Sequence, residues 1–258
     1  MVNLVLDFFG FSKMPYGKDI TLNDIFETKS FIEARAMLRF GVSQEDIILL
    51  SGPVGAGKSV VLKSFIGELD TNRYTPVYLR GNSLSAGELY RSILSELKVE
   101  PPYFSQKAKM LFFKAIPELN KKPVVIIDDA QDLEDSALKD IKSMVNFDFD
   151  SKNLVTFVLA GQNELCDKLK YVDFMPTMQR IRISHKMGTM TLEETCAYID
   201  HRTKICQSNQ IIFADDAKSE IHKRTGGLPR LVNHICYNTI LKAVAKGVKI
   251  IESSNLSS

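Results

Sequence analysis

The sequence predicts an α/β fold, a five-stranded parallel sheet with helices on both faces, followed by a small all-helical lid. Three observations carry this. Five strand-sized apolar runs recur with helix-like segments of about 20 to 40 residues between them, the length that parallel crossovers need. Four of the five are nearly continuous apolar runs, as in strands covered on both faces. Beyond Ser184 the pattern becomes wholly helical.

The elements follow in chain order. Phe8-Phe9-Gly10-Phe11 and Met14-Pro15-Tyr16 read as an aromatic, turn-like strap. Ser30 to Phe40 reads as an amphipathic helix with Phe31, Ala34, Met37 and Leu38 on one face. Residues 1–45 are thus expected to pack on the core as strap and helix. The core, residues 46–187, takes its strands from Ile47 to Ser51, Pro76 to Arg80, Pro123 to Asp128, Leu154 to Ala160 and Arg180 to Ser184.

The lid, residues 188–258, opens at Thr191-Leu-Glu-Glu194. There the Thr hydroxyl takes the third amide of the helix and the Glu carboxylate reaches back, giving a helix to about Gln207. A second helix runs from Asp215 to Thr225 and stops at Gly226-Gly227. Pro229 starts a third, whose apolar residues from Leu231 to Val244 keep helical spacing up to Gly247. The tail from Glu252 to Ser258 is polar and expected to fray.

Composition excludes several classes. The 258 residues are 45% hydrophobic and 25% charged, and 33 Lys+Arg against 31 Asp+Glu leave a net charge of only +2. Bulk charge cannot hold a polyanion; nucleic-acid contact would need a local patch or many aligned subunits. The apolar runs fall far short of the ~20 residues of a membrane span, and the N-terminus lacks the features of a signal peptide. A cytoplasmic protein without membrane contact is expected. Cys166, Cys196, Cys206 and Cys236 lack a Cys-x-x-Cys pair and read as buried free thiols, and the four histidines have no metal-ligand spacing.

The chemistry lies in Gly52-Pro-Val-Gly55-Ala-Gly57-Lys58-Ser59, between the first strand and the helical run that begins at Val60. The glycines let the backbone curl so that successive N–H groups of Gly52, Gly55, Ala56, Gly57, Lys58, Ser59 and Val60 can face phosphate oxygens at a helix N-terminus. Lys58 is placed for the β- and γ-phosphates of ATP and Ser59 for Mg²⁺. A carboxylate must then end a neighbouring buried strand. Val124-Val-Ile-Ile127-Asp128-Asp129 supplies it, with Asp128 toward Mg²⁺ and Asp129 placed to orient or deprotonate the attacking water.

These segments, with Ala130-Gln131, Val158-Leu-Ala-Gly161-Gln162-Asn-Glu164-Leu165, Gln179-Arg180-Ile181 and Gly227-Leu-Pro229-Arg230-Leu-Val-Asn233, resemble the P-loop AAA+ ATPases of the ExeA/TniB type. That family spans secretion ATPases and the transposon regulators that resemble TnsC and MuB. The resemblance implies that Gln162, or Asn163 beside it, is the γ-phosphate sensor. It implies that Arg180, or Arg182, is an arginine finger, and that Arg230 clamps the phosphates from the lid. Where most members carry Glu, this chain has Asp129, one methylene shorter, so slow or partner-stimulated hydrolysis is expected.

Two functions compete under the resemblance. One is a regulator that assembles with ATP into a ring or helical filament of its own copies on duplex DNA, engages a transposase and disassembles on hydrolysis. Arg80, Lys139 and Lys142 are its candidate phosphate contacts. The other is an ATPase of a secretion or envelope-assembly complex; a signalling NTPase without DNA stands third. Secretion members carry a membrane span and a further domain, and neither precedes the end at Ser258. On that ground the transposition reading is the expectation.

Overall fold

The computed structural model describes residues 2–17, 20–45, 47–147, 152–207 and 210–256. Helices α1 (Val2–Phe9) and α2 (Lys29–Gln44) precede strand β1 (Ile47–Ser51). There follow α3 (Lys58–Glu68), β2 (Tyr74–Arg80), α4 (Ala86–Glu96), α5 (Ser105–Ala115), β3 (Lys122–Asp128) and α6 (Asp135–Val145). The chain continues through β4 (Thr156–Gly161), α7 (Asn163–Leu169), the single turn α8 (Met175–Met178) and β5 (Ile181–Lys186). It closes with α9 (Leu192–Lys204), α10 (Asp215–Thr225) and α11 (Pro229–Lys246). It divides into two compact units. One comprises Glu33–Val54 and Lys58–Met187, the other Met1–Ile32, Gly55–Gly57 and Gly188–Ser258.

The first unit is built on a five-stranded, wholly parallel sheet of order β2-β3-β4-β1-β5. Every residue of β1 and β4 is buried, which explains why these strands read as unbroken apolar runs. Alternate residues serve opposite faces. Ile47, Leu49, Val125, Ile127, Phe157 and Leu159 join a core with Leu89, Ile93, Phe112, Leu138 and Ile141 from α4, α5 and α6. Ile48 faces the other way, against α2, where a side chain at Gly41 would collide with it. Fully burying each such side chain contributes about 1.5–3 kcal/mol, which sets strand register firmly.

Two sequence expectations shift here. The strand expected from Leu154 starts at Thr156, because Leu154 N–H instead bonds Val145 O at 3.2 Å beside a two-residue antiparallel ribbon, Asn146–Phe147 with Lys152–Asn153. Arg180, expected as the first residue of the fifth strand, does not lie on β5. Its N–H closes a turn on Thr177 O at 3.1 Å, and the strand begins one residue later.

The second unit has its own core. Met190, Tyr198, Ile199, Ile221, Val232, Cys236 and Ile240 of the predicted lid pack together with Val5, Phe9, Phe11 and Tyr16. The N-terminal strap was expected on the sheet core, yet its apolar side chains cluster with the lid helices. Specific bonds account for this: Tyr16 Oη donates to Ile199 O at 2.9 Å and Arg202 Nη2 to Gly17 O at 2.9 Å. The strap is also not turn-like throughout, since Val5 and Phe9, one helical turn apart, are the buried face of α1. The capping box at Thr191 and Glu194 forms as the spacing predicts, while α9 ends at Lys204, short of Gln207. Of the four free cysteines, Cys206 and Cys236 are buried and Cys166 and Cys196 half-buried.

Candidate nucleotide site

Because β1, β3 and β4 are parallel neighbours, the residues that follow them emerge at one edge of the sheet. Ser51 pairs with Gly161, and Ile127 with Leu159. The glycine-rich loop, Asp128-Asp129 and Gln162 are therefore gathered at the carboxyl ends of three adjacent strands, the usual ligand edge of such sheets.

Lys58 opens α3. It is buried, and its Nζ donates to Gly52 O at 2.8 Å and Pro53 O at 3.0 Å, holding the ammonium inside the curl of its own loop. Gly55 and Gly57 have φ of +84° and +98°, values that side chains rarely adopt, so the curl requires glycine there. Ser59 is exposed at the first turn of α3, where amides lack partners within the helix.

Asp128 is buried, and both its oxygens are engaged. Oδ2 accepts from Tyr78 Oη at 3.0 Å and Oδ1 from the N–H of Asp129 at 3.0 Å. Burial, and then the charge of Asp128, push the Tyr78 phenol pKa up and keep its proton in place. Asp129 is exposed and held in the left-handed region, φ 53° and ψ 44°. Gly81 makes room for this, since a side chain there would overlap Asp129 O. Gln131 Nε2 donates to Asp129 Oδ1 at 3.4 Å, and Gln131 Oε1 accepts the N–H of Gln162 at 3.1 Å.

The ammonium and hydroxyl at the start of α3, with the carboxylate at the end of β3, are the donor types that fit magnesium nucleotide. Lys58 and the loop amides would hold the phosphates, with Ser59 and Asp128 on the ion. Bound there, the ion would neutralise phosphate charge.

A family model described as "AAA domain" matches residues 41–169, half of the chain. The protein is an AAA+ ATPase. Its sequence is 29% identical to General secretion pathway protein A of Aeromonas hydrophila over 97% of this chain. The chain spans about half, 47%, of that protein's length. In fold it is similar to Cdc6p of Pyrobaculum aerophilum, with TM-score 0.74 and 17% identity over 92% of this chain and 67% of that one. It is also similar to the Thermotoga maritima RuvB Holliday junction branch migration motor, with TM-score 0.63 and 17% identity over 93% and 70% of the two chains. At such identities these two likenesses speak for the fold alone.

The remaining predicted residues of the ATPase fall elsewhere. Arg230 is the second residue of α11 in the second unit, where its N–H donates to Gly55 O at 3.3 Å and its Cβ fills the space a side chain at Gly55 would occupy. Arg180 stands before β5, at the sheet edge opposite the glycine-rich loop. Ile47 pairs with Ile181 and Ser51 with Lys186, so the strand length of about 16 Å separates the two edges. Arg180 lines a cavity of about 490 Å³ with Lys142, Ser143, Pro176 and Gln179. Among the DNA candidates, Lys139 is paired with Asp173 at 2.6 Å and Arg80 lies beside Asp128 in the β2–β3 ladder. Among the described residues no helix is long and apolar enough to cross a membrane.

Tyr78 has no sequence motif to announce its role, and neither has Gly81. Gln131 follows the acidic pair closely in sequence, yet only the fold shows that its side chain reaches both Asp129 and the N–H of Gln162.

Proposed function

We propose that this AAA+ ATPase is a nucleotide-driven switch of a secretion or envelope-assembly complex. It binds Mg²⁺-ATP through Lys58, Ser59 and Asp128, assembles with further copies of itself, and hydrolyses slowly. The observation that carries the chemistry is the convergence of Lys58, Asp128, Asp129 and Gln162 at the ends of β1, β3 and β4. Asp129 orients the water, and Gln162 senses the γ-phosphate from the end of β4. Arg230 reports nucleotide from its place against Gly55. Arg180, remote from the glycine-rich loop of its own chain, supplies a cation to a neighbouring copy.

The secretion setting is supported by the relative matched over 97% of the chain. The transposition expectation leaned on where the chain ends. A secretion protein about twice as long matches nearly this whole chain, so length no longer separates the two readings. Duplex DNA and a transposase become the competing outcome of a test.

That test is sedimentation of the protein with a non-hydrolysable ATP analogue and Mg²⁺, with and without duplex DNA. Assembly that needs nucleotide and ignores DNA is the expected result. Assembly only on DNA would replace the secretion reading with the transposition one. A monomer under every condition would overturn the assembly step.

A further inference from the structure

We infer that Gln131 is a positioning residue for hydrolysis, fixing the carboxylate of Asp129 relative to the end of β4. The inference rests on the ATPase reading above, with Asp129 as the group that orients water.

Gln131 follows Asp129 by two residues, in the 3₁₀ turn Ala130–Asp132, and its amide spans two strand ends. On the β4 side the partner is a backbone N–H, that of Gln162, which can only donate. The atom facing it at 3.1 Å must therefore be the amide oxygen. That fixes the flip of the amide: Nε2 is left to face Asp129 Oδ1, which at 3.4 Å it does. The orientation follows from the chemistry of the partners.

A second observation is independent of these bonds. Gly161, the last residue of β4, lies so close that a Cβ on it would come within 2.8 Å of Gln131 Oε1 and 2.7 Å of Leu165 Cδ2. The amide oxygen thus packs directly against the backbone at the end of β4, and a side chain at Gly161 would push it aside. Asp129 needs such a brace. It is exposed, its carboxylate is short, and its backbone sits in the left-handed region. An unbraced side chain there would sample several rotamers, and a displacement of ~1 Å in a positioning group costs on the order of a hundredfold in rate. Gln131 also ties Asp129 to Gln162, so movement of the β4 end on nucleotide binding would carry the carboxylate with it.

Gln131→Glu separates this role from simple bracing of the fold. Glutamate still accepts the Gln162 N–H but offers Asp129 an acceptor in place of a donor. In the full chain under assembling conditions, with Mg²⁺-ATP, we expect kcat to fall about tenfold or more while fluorescent-nucleotide affinity stays within about twofold. In an Asp129→Asn background the same substitution should cost nothing further, since the two residues act as a unit. Gln131→Met, which loses both bonds, should match Gln131→Glu in kcat. Retained kcat in Gln131→Glu, or losses that simply multiply in the double variant, would overturn the inference. Failure of the wild-type chain to hydrolyse ATP at all would instead overturn the ATPase reading beneath it.

Discussion

The phenol of Tyr78 on β2 donates a 3.0 Å hydrogen bond to Oδ2 of Asp128 on the neighbouring strand β3. With Oδ1 held by the Asp129 N–H, the carboxylate proposed to serve the ion is fixed in advance on both oxygens. Tyr78→Phe removes one restraint and a donor that competes with the ion. Stability should fall by about 1 kcal/mol or less, since the phenol is partly exposed. The Mg²⁺ concentration for half-maximal hydrolysis should fall about twofold to fivefold, the range of a weak competing bond. A magnesium titration checks this, and an unmoved midpoint would remove Tyr78 from the site.

Lys58→Ala should abolish nucleotide binding, and with it nucleotide-dependent assembly, if the ammonium that the loop carbonyls hold serves as the proposed phosphate partner. Fluorescent-nucleotide titration beside circular dichroism distinguishes this from unfolding. Tight binding by a folded variant would dismantle the proposed mechanism.

Asp129→Glu should raise basal turnover severalfold by restoring the reach of the longer carboxylate. It should also lower stability by about 0.5–1 kcal/mol, since Asp and Asn tolerate the left-handed region better than Glu does. Steady-state rates and urea melts report the two effects separately. Turnover that is unchanged or lower would show that side-chain length is not what limits hydrolysis.

Gly226 and Gly227 offer a paired stability test. Both have positive φ, +57° and +73°, but a Cβ on Gly226 meets nothing within 4 Å while one on Gly227 would overlap Met190 O. Gly226→Ala should cost about 1–2 kcal/mol, the left-handed penalty alone, and Gly227→Ala clearly more. Thermal melts of equal depth for both variants would contradict the packing described at Met190.

Much of this protein is legible in the sequence because its signals are local. Ile47–Leu50 is a continuous apolar run between polar neighbours, and α10 ends at Thr225 where Gly226 takes the left-handed C-cap conformation. The glycine-rich loop announces itself for the same reason. The strap does not, because which core receives Phe9 and Tyr16 is decided by bonds to Ile199 and by Arg202, nearly two hundred residues away. Gln131 and Tyr78 were silent likewise. Their partners lie across strands, and only the β2-β3-β4 register places an amide or a phenol within reach of an acid.

The position of Arg180, at the edge of the sheet opposite the loop that Lys58 ends, has a genetic consequence if each junction draws these two residues from different chains. A chain lacking Arg180 would spoil its neighbour's chemistry and keep its own nucleotide, so the allele would be dominant over the wild type. An allele lacking Lys58 would instead be recessive, because a chain that cannot bind nucleotide stays out of the assembly and leaves the wild-type junctions intact.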